Sequence, residues 1–139
     1  MLLLRDLVKN LYRRFRTTDP FQIAEGLNIK IITVPLEDVR GYYHYFRRNY
    51  FIYLSDSLSD QERTFICAHE LGHYLLHRRI NTVFMDRYTY CPKNKYENEA
   101  NAFAITLLTY GIDLAEYEGC GSDRILLSLG IPADVVKRI

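Results

Sequence analysis

The run His69-Glu70-Leu71-Gly72-His73 holds two imidazoles and a carboxylate at a spacing suited to metal-assisted hydrolysis. On a helix, four residues advance about 400° and ~6 Å, so His69 and His73 leave nearly the same face one turn apart and can share one ion. Glu70 lies about 100° round from His69 and ~60° from His73, where its carboxylate can flank the metal and reach a water molecule. A zinc ion held this way lowers the pKa of water to about 7 and polarises a carbonyl. Glu70 is then the general base that takes the water's proton and passes it to a leaving amine. A chain of this composition contains an H-E-x-x-H by chance roughly once in 150 cases, so the motif is specific.

The residues around the motif agree with it. Thr64 to Leu76 carries only Glu70 as a formal charge, and its apolar residues cover nearly the whole circumference, as in a helix buried on most sides. A carboxylate buried there without a partner is costly, and a bound cation compensates that cost. A catalytic site also needs a third protein ligand and an open position. His77 is eight residues from His69, ~12 Å along the axis, and cannot reach the same ion from an unbroken helix. It reads as a helix C-terminal histidine. The longer H-E-x-x-H-x-x-G-x-x-H pattern is excluded, because Leu76 and Arg79 stand where it requires glycine and histidine.

The third ligand is expected from the segment Glu97-Asn98-Glu99-Ala100-Asn101-Ala102-Phe103-Ala104. Ala100, Asn101, Ala104 and Leu108 fall within about 60° of Glu97 on a helical wheel, whereas Glu99 points roughly 200° away. Ala100 and Ala104 permit close approach of another helix, and Gly72 offers the matching gap. Glu97 is therefore the expected ligand, and Glu99 a surface residue. Asn101, one turn beyond Glu97, is suited to hold the second nitrogen of a ligating histidine.

These residues need elements to position them. Leu4, Leu7, Val8, Leu11 and Phe15 repeat at helical spacing, and Asp19-Pro20 starts a short second helix that Gly26 closes. From Lys30 to Val34 the chain is β-branched and apolar, and 41–46 and 50–54 flank the polar tip Arg47-Arg48-Asn49 as a hairpin. Ser59-Asp60-Gln61-Glu62 is a capping box, so the motif helix should begin near Asp60 and run through His77. Residues 79–94 lack a sustained period and read as a long connection, with at most one short strand. Lys95 to Tyr110 is helical, and 122–129 and 132–138 read as two short helices. The expectation is an α+β fold, with a small three-stranded antiparallel sheet packed against the buried motif helix and the Glu97-bearing helix.

Composition bounds the remainder. A chain of 139 residues with 48% hydrophobic and 25% charged residues suits one globular domain spanning 1–139. A formal net charge of +1 gives no pull toward nucleic acid or membrane. The first helix carries Arg5, Lys9, Arg13, Arg14 and Arg16 against Asp6, but no base-reading element accompanies it, so it reads as a solvated face with no direct nucleic-acid binding. Charge interrupts the leucines after Leu4 and no run is long enough to span a bilayer, so a cytoplasmic location is expected. Cys67, Cys91 and Cys120 are odd in number and widely spaced, as reduced structural thiols would be.

With these residues in hand, the chain resembles the ImmA/IrrE family of metallo-endopeptidases over roughly residues 18 to 110. Asp19-Pro20-Phe21-Gln22-Ile23-Ala24, Gly41-Tyr42-Tyr43, Ile52-Tyr53-Leu54, the His69–His73 motif and Glu97–Ala104 carry the likeness, in the family's order and approximate spacing. The resemblance implies zinc held by His69, His73 and Glu97 in a gluzincin-like site, with Glu70 as catalytic base. It also implies an anti-repressor role, since small members encoded by phages or mobile elements cleave a helix-turn-helix repressor. The chain departs from the family at Leu107-Leu108-Thr109-Tyr110, where Leu-Leu-Met-Pro is common. The alternative from a different class is a non-hydrolytic, zinc-containing module that binds and occludes a repressor. An acidic Glu70 in the motif argues for hydrolysis.

Overall fold

Helical spacing of apolar residues with basic residues between them produces α1 (Leu2–Phe15), which buries Val8 and Leu11 and leaves Arg13 and Arg14 in its last turn. The structure is a computed structural model and describes residues 2–78, 93–112 and 122–137. Asp19 caps α2 (Pro20–Gly26) by accepting a hydrogen bond from the Phe21 N–H at 2.9 Å, and Pro20 supplies the preset φ of a first helical residue.

Three strands come next: β1 (Ile29–Val34), β2 (Gly41–Phe46) and β3 (Asn49–Ser55). Arg47 and Arg48 join β2 to β3 with φ of 50° and 65°, the left-handed pair that matches a two-residue turn to the twist of its strands. The sheet order is β1-β3-β2, with β2 antiparallel to β3 and β1 parallel to it. The sheet is thus mixed, which corrects the expectation of a purely antiparallel one. Its physical cause is burial. β3 carries Ile52 and Leu54, both fully buried, and takes the centre, while residues 35–40 carry the chain across to the far edge before β2 begins.

Ser59 and Glu62 close a reciprocal capping box at the start of α3 (Asp60–His77), at 3.2 Å and 3.1 Å. Such a cap stabilises a helix by about 1 kcal/mol. The remaining stability of α3 comes from packing, because Phe65, Cys67, Ala68 and Leu71 are buried in the common core. α3 meets α4 (Lys93–Leu108) along the most extensive helix contact among the described residues, and strands β2 and β3 cover another part of α3. Two short helices, α5 (Ser122–Ser128) and α6 (Ala133–Val136), and the turn between them add Leu126, Ile131, Val135 and Val136 to the same core. The expected connection over 79–94 lies, up to residue 92, outside the described residues, as do Cys91 and Cys120. Among the described residues no helix is long and apolar enough to cross a membrane.

Candidate metal centre

Three of the four histidines stand at successive intervals of four in α3, so His69, His73 and His77 occupy one face, and α4 lies against it. The close approach that Gly72 permits brings Glu97 over that face. Glu97 Oε2 is 2.9 Å from His69 Nε2, and Glu97 Oε1 is 3.2 Å from His73 Nε2. The three side chains offer donor atoms that all lie within 4.8 Å of one another. Glu99 is not part of this group. Its carboxylate lies instead 3.7 Å from His77 Nε2 and is 41% exposed.

The outward nitrogens are held as well. His69 Nδ1 faces Asn101 Oδ1 at 2.7 Å, so a neutral His69 with its proton on Nδ1 donates to Asn101 and turns the lone pair of Nε2 toward Glu97. His69 therefore has an acceptor at both nitrogens. Such a ring is complete with two protons, or with one proton and a cation, and this donor set fits a divalent metal ion. His77, which closes α3 as expected, makes one contact that the sequence does not announce. Its Nδ1 lies 2.9 Å from His73 Nδ1, so it touches the back of a candidate ligand although it is too far along the axis to reach the ion itself. The repeated spacing of four was the signal that could have found it.

Charge reinforces this geometry. Burial is the largest influence on His69 and works to lower its pKa. The hydrogen bond to Glu97 and the charges of Glu70 and Glu97 outweigh it and raise the value above the ordinary 6.5. Hydrogen bonds from His69 and His73 hold the Glu97 carboxyl far below the usual carboxylate range. Glu70 goes the other way: burial raises it, with the charge of Glu97 adding to the rise, against the opposing pull of His69, His73 and the Tyr43 backbone N–H. It is 7% exposed, and its Oε2 stands 3.9 Å from His69 Nε2. Burial, then the charge of His73, lowers His77. Cys67 in the same helix is buried and its thiol is pushed up, which keeps it inert.

These groups open on a cavity of about 540 Å³. His69, Glu70, His73 and Glu97 line it, with Gly41 and Tyr43 of the edge strand β2 as one wall. The opposite wall includes Pro132, Asp134 and Val135 at the C-terminal α6, a contribution with no local sequence signal. A larger hollow of about 880 Å³, beside Glu25, Lys30 and Arg48, brings together no such group of metal-capable side chains among the described residues.

The cluster is one that could hold a metal ion. The family model described as the IrrE N-terminal-like domain matches residues 24–118. An "Uncharacterized immunity region protein 2" of Bacillus phage phi105 is 38% identical over 136 residues, covering 96% of this chain and 86% of that protein. "Metallopeptidase ImmA" of Bacillus subtilis (strain 168) is 28% identical over 134 residues, covering 92% of this chain and 78% of that protein. The chain belongs to the ImmA/IrrE family.

Proposed function

We propose that the chain is a zinc-dependent endopeptidase of the gluzincin type, with His69, His73 and Glu97 as metal ligands, Glu70 as general base and Asn101 as the group that orients His69. The observation that carries this reading is the convergence of Nε2 of both histidines on the Glu97 carboxylate, beside a buried Glu70 in one open cavity. A bound zinc ion would supply Lewis acidity, polarising the scissile carbonyl and acidifying water.

The chain's own residues do the rest. Burial raises Glu70 above its ordinary carboxylate value, which makes it a stronger base, while the charges of the neighbouring imidazoles favour its ionised form. Glu70 takes the proton of the attacking water and delivers it to the leaving amine nitrogen. Asn101 keeps the His69 proton on Nδ1, so that Nε2 stays a donor to metal. Among the described residues β2 is a sheet edge, and its Gly41 and Tyr43 line the cavity, so a substrate segment can lie along it as an added strand.

The proposed substrate is a bacterial helix-turn-helix repressor, in the manner of a phage or mobile-element anti-repressor. The name of the phage relative, which refers to an immunity region, supports that class. Repressors work in the cytoplasm, so the same proposal sets the reaction there. The test is incubation of the zinc-loaded protein with the repressor from its neighbouring operon, followed by mass spectrometry. Wild type should yield defined fragments and Glu70→Gln none. Intact repressor with both proteins, bound in a stable complex, would instead support occlusion without hydrolysis.

A further inference from the structure

Among the described residues, His77 is a buried polar side chain for which the proposed chemistry has no use. It is 2% exposed at the end of α3, and the Tyr96 ring meets it edge-on at 4.7 Å. Its Nδ1 lies 2.9 Å from His73 Nδ1. Its Nε2 has no hydrogen-bond partner among the described residues, and the Glu99 carboxylate stands 3.7 Å away, one small side-chain adjustment from accepting a bond.

Two ring nitrogens that face each other at this distance hold one proton between them, so the tautomers of His73 and His77 are interlocked. In one arrangement His73 carries its proton on Nδ1 and donates it to His77 Nδ1. The lone pair of His73 Nε2 then faces Glu97, and the His77 proton sits on Nε2, toward Glu99. In the other arrangement His77 donates, the His73 proton moves to Nε2, and a cation cannot bind there. A carboxylate within reach of His77 Nε2 favours the first arrangement.

We infer that His77, backed by Glu99, is a positioning residue that holds His73 in its metal-ready tautomer, as Asn101 does for His69. The inference rests on the proposed metal site. His77 acts through His73 and touches neither substrate nor the reacting atoms.

Histidine-labelled, zinc-loaded wild type tests it directly through long-range proton–nitrogen correlation spectra. The expected result is a proton on Nδ1 of His73 and on Nε2 of His77. Zinc competition against a chromophoric chelator adds a second readout. His77→Phe should bind zinc roughly 10–100-fold more weakly, the usual size of such an outer effect. His77→Asn, whose Oδ1 falls near the place of Nδ1 and can accept from His73, should restore affinity to within a few-fold. A zinc-loaded wild type with the His77 proton on Nδ1 would overturn the inference while leaving the metal site intact. So would a Phe variant as tight as wild type, or an Asn variant as weak as Phe. Wild type that takes up no zinc would end the metal reading and this inference together.

Discussion

A Cβ added to Gly72 would lie 3.3 Å from the Cα of Ala100 and 3.0 Å from Cδ1 of Phe103, so the two helices that carry the candidate ligands touch nearly backbone to backbone. That contact sets the distance between Glu97 and the two histidines. Gly72→Val has no room on the α4 backbone side and must push the helices apart. Overpacking of this kind costs about 1–3 kcal/mol. Denaturant unfolding should show that loss, and zinc affinity should fall with it; a Val variant with both values unchanged would contradict the helix-contact account.

Glu70→Gln keeps the shape of the side chain and removes the proposed base. Zinc stoichiometry should stay at that of wild type, while cleavage falls by about 10²–10⁴-fold, the usual contribution of a positioned acid–base group. Peptide-bond hydrolysis at the wild-type rate would remove Glu70 from the mechanism.

In the proposed site, proton and metal compete for Nε2 of His69. Burial works to lower its pKa, but the Glu97 hydrogen bond and the Glu70 and Glu97 charges raise it above 6.5, so the ring holds its proton to a higher pH than free imidazole does. A ligating histidine must be neutral, which gives the sign: metal affinity is full above the raised pKa and falls as pH drops through it. Glu97 stays ionised throughout, because both imidazoles hold its carboxyl far down. Zinc affinity measured from about pH 8 to about pH 5.5 should begin to fall above 6.5, by about tenfold per unit for each proton displaced. A flat profile would count against ligation by His69.

Legibility in the sequence differs between elements. The ends of α3 were readable because the Ser59–Glu62 box is local chemistry, and the wheel arithmetic that singled out Glu97 needed only helix geometry. Strand order was not readable. Alternation marks a strand but says nothing about which neighbour it pairs with, and here β3, with the buried Ile52 and Leu54, takes the centre with β1 parallel on one side and β2 antiparallel on the other. Distance along the axis excludes His77 from the ion but carries no information about its contact with His73. Asp134 and Val135 reach the cavity from a distant part of the chain, which periodicity does not encode.

Gly130 connects α5 to α6 with a φ of 87°, and a Cβ there would run into the main-chain carbonyl of Gln61. Gly111 shares the left-handed backbone at 84° but has no neighbour within 4 Å of such a Cβ among the described residues. Gly111→Ala should cost only the conformational penalty of about 1–2 kcal/mol. Gly130→Ala should cost more, because the turn that seats α6 beside the cavity must also shift. Equal unfolding midpoints for the two variants would show that the packing against Gln61 is unimportant.

Elemental analysis of the purified protein and of Glu97→Ala, joined to zinc titration, tests the central claim most directly. One equivalent of zinc should bind to wild type, and the Glu97→Ala variant should hold it at least ~100-fold more weakly. A wild-type chain that binds no divalent cation, or a Glu97→Ala variant that binds one as tightly as wild type, would contradict the account.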